Sequence, residues 1–130
     1  MFIFGHRFIK SEPFYHIENI DAVLNTPSSS VVFLEFTEQN LDIIEHLNSN
    51  EILFSLSVKN ITEIIYASEL GGSFIVVDKT IAKTAQDIAN NYLFDAKILV
   101  RIENESEIEE MALLSIDGVI FSNGIIKTVS

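Results

Sequence analysis

Residues 98–123 read ILVRIENESEIEEMALLSIDGVIFSN, and this stretch decides the fold class. The apolar run Ile98–Ile102 is typical of a buried strand. Asn104, followed three residues later by Glu107, is a signature of a helix N-terminus. A second apolar run, Val119–Phe121, follows the helical segment. The stretch therefore predicts a strand, a helix and a second strand, which is the unit of parallel sheets.

The same pattern recurs through most of the chain. Asn60 and Glu63 repeat the Asn104 and Glu107 spacing, and further apolar runs lie at 31–36 and 73–78. These runs are continuous and not alternating, as expected of strands that are covered on both faces. We expect one α/β domain over residues 1–130, with a mostly parallel sheet of roughly five to seven strands and crossover helices. The expected architecture is flavodoxin-like, which is preferred, or a half-barrel.

The two ends of the chain carry weaker patterns. Residues 1–9 alternate in the manner of a first strand, and Phe14–Ile17 has the length of a short edge strand. Residues 19–25 predict a short helix that stops before Pro27. Asn123-Gly124 is a hairpin signal, so residues 125–129 are expected to fold back antiparallel to the strand before them.

Composition excludes several classes of function. The formal net charge of −11 opposes attraction to nucleic acid or to anionic membranes. With no cysteine, the chain offers no disulfide and no thiolate site, so zinc could be held only by histidine and carboxylate side chains. No cofactor or metal is expected. The first nine residues contain His6 and Arg7 and lack the pattern of a secretory signal. We therefore expect a cytoplasmic protein that has neither nucleic acid nor membrane as a partner.

The apolar content suggests self-association. A mean hydropathy of +0.31 is high for a small acidic protein. The predicted N-terminal strand carries Phe2, Phe4 and Phe8, and the segment Phe14-Tyr15 follows it. Bare sheet edges of this kind pair with other chains unless they are covered. We therefore expect a homodimer that buries these aromatic residues.

Ligand-binding candidates follow from the topology, because ligands of open parallel sheets bind beyond the carboxyl ends of the strands. Asp78 is also a natural N-cap for the helix that follows it, and the opposite charges of Arg101 and Glu103 are also typical of solvated residues. The candidates at these ends are Glu35, Asp78, Lys79, Arg101, Glu103 and Ser122.

Other conspicuous residues favour structural roles. Gly71-Gly72 precedes a predicted strand, whereas a phosphate-binding glycine loop follows one, so it is interpreted as a helix C-cap. His16 and His46 have no partner at metal-ligand spacing. The acidic residues from Glu105 to Glu110 are interpreted as a solvated helix face.

One family resemblance is visible at both ends of the chain. The run from Arg101 to Asn123 resembles the last βα repeat of phosphate-ester TIM barrels, particularly the glycerophosphodiester phosphodiesterase family. Residues 2–7, FIFGHR, are similar to that family's opening strand, in which a His-Arg pair serves the phosphodiester. The resemblance implies that His6 is an acid/base candidate and that Arg7 binds phosphate.

The predicted strand ends lack a coherent catalytic set, which favours a non-enzymatic cytoplasmic binding or regulatory protein. The enzymatic alternative is a degenerate phosphoesterase or sugar-phosphate enzyme that uses His6, Arg7, Glu35 and Asp78. The two hypotheses differ in one geometric respect. An enzyme requires these four side chains around one pocket, whereas a binding protein does not.

Overall fold

The computed structural model describes residues 1–128, and within them eight β-strands form a single sheet. In chain order the strands are β1 (Phe2–Phe4), β2 (Phe14–His16), β3 (Val31–Glu35), β4 (Phe54–Ser57), β5 (Phe74–Val77), β6 (Lys97–Ile102), β7 (Gly118–Phe121) and β8 (Ile125–Lys127). Their order in the sheet is β1-β7-β6-β5-β4-β3-β2-β8.

Four α-helices within the described residues link the strands from β3 to β7. They are α1 (Leu41–Ser49), α2 (Ile61–Glu69), α3 (Ala82–Asn91) and α4 (Ser106–Leu113). Short 3-10 helices occupy Ile20–Asn25, Glu38–Asn40, Lys79–Ile81 and Ser122–Gly124. The α/β class and the crossover helices are therefore confirmed.

Every strand pair in the sheet is parallel, and the sheet curls strongly. Phe4 of β1 and Phe14 of β2 show the curl, because these strands are the first and the seventh in sheet order. Their ring centroids nevertheless lie 4.8 Å apart, and both rings contact Phe74 of β5. The sheet thus encloses an interior, in the manner of a barrel.

The curled sheet separates two apolar cores. The outer core combines helix residues such as Ile44 and Ile64 with outward-facing strand residues such as Leu56. The inner core receives no helical residue and is built from the inward-facing residues Phe4, Phe14, Val31, Phe33, Val76, Leu99 and Ile120. The helices therefore cover one face only, and the preferred flavodoxin-like arrangement, with helices on both faces, is wrong.

Three further expectations are corrected by the topology. The sheet has eight strands in the described residues, more than the five to seven predicted. The tail does not fold back: β8 is parallel to β2, and the predicted tail residue Val129 lies outside the described residues. β2 is not an edge strand, because β3 and β8 flank it. The hairpin signal is overridden because Ser122–Gly124 forms a 3-10 turn that carries the chain onward.

The aromatic residues expected at a dimer interface are divided between core and surface. Phe14 is fully buried and Phe4 is 9% exposed, both in the inner core. Phe2 and Phe8 remain exposed, at 43% and 72%. Replacing the buried Phe14 by alanine would destabilise the fold by about 3–5 kcal/mol.

The helices end in one repeated way. Glu51, Gly71, Leu93 and Ser115 each follow a helix and adopt positive φ angles of 55°, 91°, 54° and 58°. In each case the next residue's N–H returns to a carbonyl five residues earlier, as Phe94 does to Ala89 at 2.9 Å. This is the Schellman C-cap, so the predicted C-cap role of Gly71 is confirmed.

The helix N-termini differ from the prediction at two positions. The N-cap of α4 is Glu105 and not Asn104, and it makes no side-chain cap bond. Glu107 instead accepts from the backbone N–H groups of Glu103 and Asn104 at 2.9 and 3.0 Å. Asp78 occupies an N-cap position, but its carboxylate accepts from the Thr80 hydroxyl and not from a backbone N–H. Acidic side chains at helix starts still match the positive end of the helix dipole.

Candidate functional site

A polar rim lies above the inner core, at the carboxyl ends of the strands. Side chains two residues apart on a strand share a face, so each residue that follows an inner-core position by two lies on the inner face. At the carboxyl ends these positions are all polar. Two positions rest on neighbours of the cluster: Ser57 follows Ser55, which is buried and paired with Phe33 and Phe74, and Lys127 follows Ile125, which packs against the inner core. The inner rim consists of His16, Glu35, Ser57, Asp78, Arg101, Ser122 and Lys127.

The rim is the place where barrel-like α/β proteins bind their ligands. Its residues follow the sheet order, so Glu35, Ser57 and Asp78 come from the adjacent strands β3, β4 and β5. Arg101 follows from β6 and Ser122 from the end of β7. The rim therefore carries both signs of charge together with neutral hydroxyls, and it favours a polar ligand over an apolar one.

Four of the six sequence-predicted candidates fall on this rim, and Glu103 and Lys79 do not. Glu35, Asp78, Arg101 and Ser122 lie on the inner face, and Glu103 contacts Ser122. Lys79 points to the helical layer instead, where its ammonium group contacts two carboxylates of the helix α4, Glu107 and Glu110, at 3.3 and 3.4 Å. These contacts raise the pKa of Lys79, with the hydrogen bond to Glu107 as the largest cause.

A cavity of about 510 Å³ opens beside the rim, between the ends of β1, β6 and β7. It is lined by Gly5, His6, Arg7, Glu103, Glu105, Phe121, Ser122 and Asn123. His6 and Arg7 thus meet the β6 and β7 ends here, whereas Glu35 and Asp78 do not line this cavity.

His6 is held by two hydrogen bonds, one to each ring nitrogen. The Phe8 N–H donates to Nδ1 at 3.1 Å, so the imidazole proton belongs on Nε2, which lies 2.8 Å from Glu105 Oε1. The ring is only 9% exposed. Both ring nitrogens are therefore engaged by groups of the protein itself, and these two contacts fix the orientation of the ring.

Glu105 joins the first loop to the N-terminus of α4. The same carboxylate oxygen contacts His6 and, at 3.3 Å, the guanidinium of Arg7. The hydrogen bond with His6 and the charge of Arg7 hold the pKa of Glu105 below its usual range. Arg7 is itself 72% exposed and lies over the Phe8 ring, 4.4 Å from its centroid. Most of its donors therefore remain available to an anionic group.

Ser122 is also engaged by its neighbours. Arg101 Nε donates to its hydroxyl oxygen at 3.2 Å, and the hydroxyl donates to Glu103. Within residues 1–128 no histidine contacts this hydroxyl, so the Ser-His pair of nucleophilic catalysis is not formed. The three side chains form a preordered polar patch that presents the remaining Arg101 donors to the rim.

The sequence does not predict a site role for Glu105, His16 or Lys127. Its pattern favours a solvated helix face for Glu105, a surface or packing role for His16 and a tail strand for Lys127. Only the fold brings Glu105 to His6, 99 positions away in the chain. Strand alternation places His16 on the same face as Phe14, two residues earlier. The sequence does not show, however, that this face is the inner one.

The chain was compared with protein-family models and with curated proteins, and neither comparison gave a match. Within residues 1–128, no helix has the length and apolar character needed to cross a bilayer. The described residues also contain no group of three or more His, Cys, Asp or Glu side chains placed to hold a metal ion.

Proposed function

We propose that this protein is a small cytoplasmic, non-enzymatic binding or regulatory protein that binds a small polar ligand at its inner rim. One observation carries the proposal. The strands end in a ring of polar side chains above a closed apolar core, while the groups with catalytic potential, His6 and Ser122, are already hydrogen-bonded to neighbours.

The charges of the rim indicate the kind of ligand. Glu35 and Asp78 lie on one arc of the rim, whereas Arg101 follows on the next strand and has its terminal guanidinium nitrogens available. A ligand with both hydroxyl or amino donors and an anionic group would satisfy the two arcs together. Phosphorylated and zwitterionic metabolites are of this class.

A thermal-shift screen of nucleotides, phosphorylated metabolites, amino acids and metal ions tests the proposal. A ligand at 100 times its Kd stabilises the folded state by about 2.7 kcal/mol, which is a measurable rise in Tm for a domain of this size. Arg101→Gln should abolish the shift. Lys83→Gln, which removes an exposed lysine of α3 paired with Asp87, should preserve it. A screen with no stabilising compound contradicts the proposal.

The enzymatic alternative, a phosphoesterase related to the family that the chain resembles, makes the opposite prediction for His6. Wild-type protein should then hydrolyse a generic phosphodiester, and His6→Ala should lose that activity. The proposal of a binding protein expects no hydrolysis by either form. Phosphodiester turnover that depends on His6 would therefore favour the enzyme.

We further propose that the protein acts as a homodimer. The support is the exposed apolar surface near the two edge strands, where Met1 and Phe2 are 56% and 43% exposed and Ile126 of β8 is 42% exposed. Light scattering after size exclusion should give twice the chain mass at micromolar concentration, and Phe2→Asp should return it to one chain. A mass of one chain at every concentration contradicts the dimer.

A further inference from the structure

A groove separate from the rim lies between α2 and α3, at the opposite ends of the strands. It forms a cavity of about 720 Å³. Its apolar lining comes from Ile65, Ile88, Tyr92, Leu93 and Phe94. Three of these residues are exposed, Ile65 by 44%, Tyr92 by 75% and Leu93 by 85%.

A leucine at position 93 is unfavourable for the stability of the fold for two independent reasons. Its backbone is left-handed, with φ at 54°, a conformation that disfavours leucine and favours glycine. Its side chain is also left almost entirely in water. The corresponding C-cap positions carry Glu51, Gly71 and Ser115, which place no large apolar group in solvent. The fold of residues 1–128 gains little from a leucine at this position, so its side chain is suited to an external contact.

The border of the α2–α3 groove is acidic. Glu69 and Asp95 line it and are exposed, and neither lysine nor arginine is among the lining residues. Both helices also end here, and the carboxyl end of a helix carries a partial negative charge. An apolar floor with an acidic border attracts a partner that is apolar on one side and basic at its margins.

We propose that the α2–α3 groove is the docking site for a basic amphipathic segment of a partner protein. The segment's apolar side chains, at helical spacing, enter between Ile65 and Leu93, and its lysine or arginine residues face Glu69 and Asp95. A second copy of this chain is the less favourable occupant. The chain has a net charge of −11, and a two-fold contact at the groove would place Glu69 and Asp95 against the same residues of the copy, where like charges repel.

The probe is a fluorescein-labelled helical peptide of about 14 residues, with leucine at i, i+3, i+4 and i+7 and lysine on its flanks. Fluorescence anisotropy with the full chain should show saturable binding at micromolar concentration. A peptide with glutamate in place of each lysine should not bind. Leu93→Gly should weaken binding of the lysine peptide by at least about tenfold.

Matched variants separate docking from general attraction to an acidic protein. Leu113 at the end of α4 is 80% exposed but lies outside the groove, so Leu113→Ser should leave the affinity unchanged. Glu69→Lys should weaken binding severalfold at low salt, and the difference should shrink at high salt. Circular dichroism should confirm that each variant is folded. Leu93→Gly should fold because glycine readily adopts the backbone conformation found at this position.

Three results would overturn the proposal. One is an absence of saturable binding up to about 1 mM peptide. Another is an equal loss of affinity for Leu113→Ser and Leu93→Gly, which would show that the peptide adheres without a site. The third is a chain that dimerises in light scattering and becomes monomeric with Leu93→Gly, since the groove would then belong to a second copy.

Discussion

Gly5 and Gly124 pack backbone against backbone: a Cβ atom on Gly5 would lie 2.8 Å from the Gly124 amide nitrogen. Gly5 follows β1 and Gly124 precedes β8, so this contact joins the two edge strands of the sheet. Gly5 also has a φ of 86°, a region that residues with side chains rarely occupy. Together the two glycines allow the curled sheet to close around its inner core.

Gly5→Ala should therefore destabilise the protein strongly. The left-handed backbone costs about 1–2 kcal/mol for a residue with a side chain, and the contact with backbone atoms adds about 1–3 kcal/mol. Urea unfolding followed by circular dichroism measures the change. Gly72→Ala is the control, because its φ is ordinary and its nearest neighbour would lie at 3.3 Å. Equal losses in the two variants would contradict the importance of the Gly5–Gly124 contact.

The two similar helix starts should respond differently to the same substitution. Asn60 Oδ1 accepts from the Glu63 N–H at 2.9 Å, so Asn60→Ala should reduce the free energy of unfolding by about 1 kcal/mol. Asn104 is not the N-cap of α4, which is Glu105, so Asn104→Ala should cost well below that amount. Chemical denaturation of both variants decides the matter, and equal losses would show that the cap at Asn104 also forms.

The helix C-caps offer a stabilising substitution. Ser115 is exposed and has a φ of 58°, so Ser115→Gly should raise the stability by about 0.5–1 kcal/mol. Gly71→Ala should do the reverse, because its φ is 91° and the new Cβ would meet the Asn48 side-chain amide. Thermal unfolding measures both. A lower Tm for Ser115→Gly would mean that its side chain stabilises the turn.

Stability should depend on the ionisation of Glu107. Backbone hydrogen bonds from Asn104 and Glu103, and contact with Lys79, hold the pKa of Glu107 below its usual range. A carboxyl group with a depressed folded-state pKa stabilises the fold above the unfolded-state pKa and loses that contribution as the pH falls through the folded-state value. Between about pH 5 and pH 3 the Tm of wild type should therefore fall more than that of Glu107→Gln. Parallel curves for the two proteins would contradict this account.

Periodicity was sufficient for the elements but not for their arrangement. The strand and helix pattern from Val31 to Phe121 was predicted because apolar spacing reflects local burial. It does not reveal which layer covers the second face of the sheet. Phe33, Phe74 and Leu99 read as residues facing helices, yet they face one another in the inner core. Closure of the sheet, which no local pattern encodes, makes that difference.

The rim was predicted in part for a similar reason. Residues at strand ends, such as Glu35 and Arg101, could be chosen from topology alone. The partners of His6 could not, because Glu105 reaches it from a distant helix. Nor could the burial of Gln86, which is 2% exposed and accepts from the Asp117 N–H at 2.8 Å. These contacts depend on tertiary distances, which residue spacing does not contain.

The closure of the sheet also sets an order of folding. Val32 pairs with Phe54 only about 20 residues onward, whereas Phe2 pairs with Gly118 and Phe14 with Ile125 across about 110 residues, and distant pairs form slowly. The central strands should therefore assemble early, and the curled sheet should close late. During synthesis on the ribosome, Phe14 must await residues 125–127 before its flanking strand β8 exists. Until then this inner-core ring is exposed to chaperones and to other nascent chains.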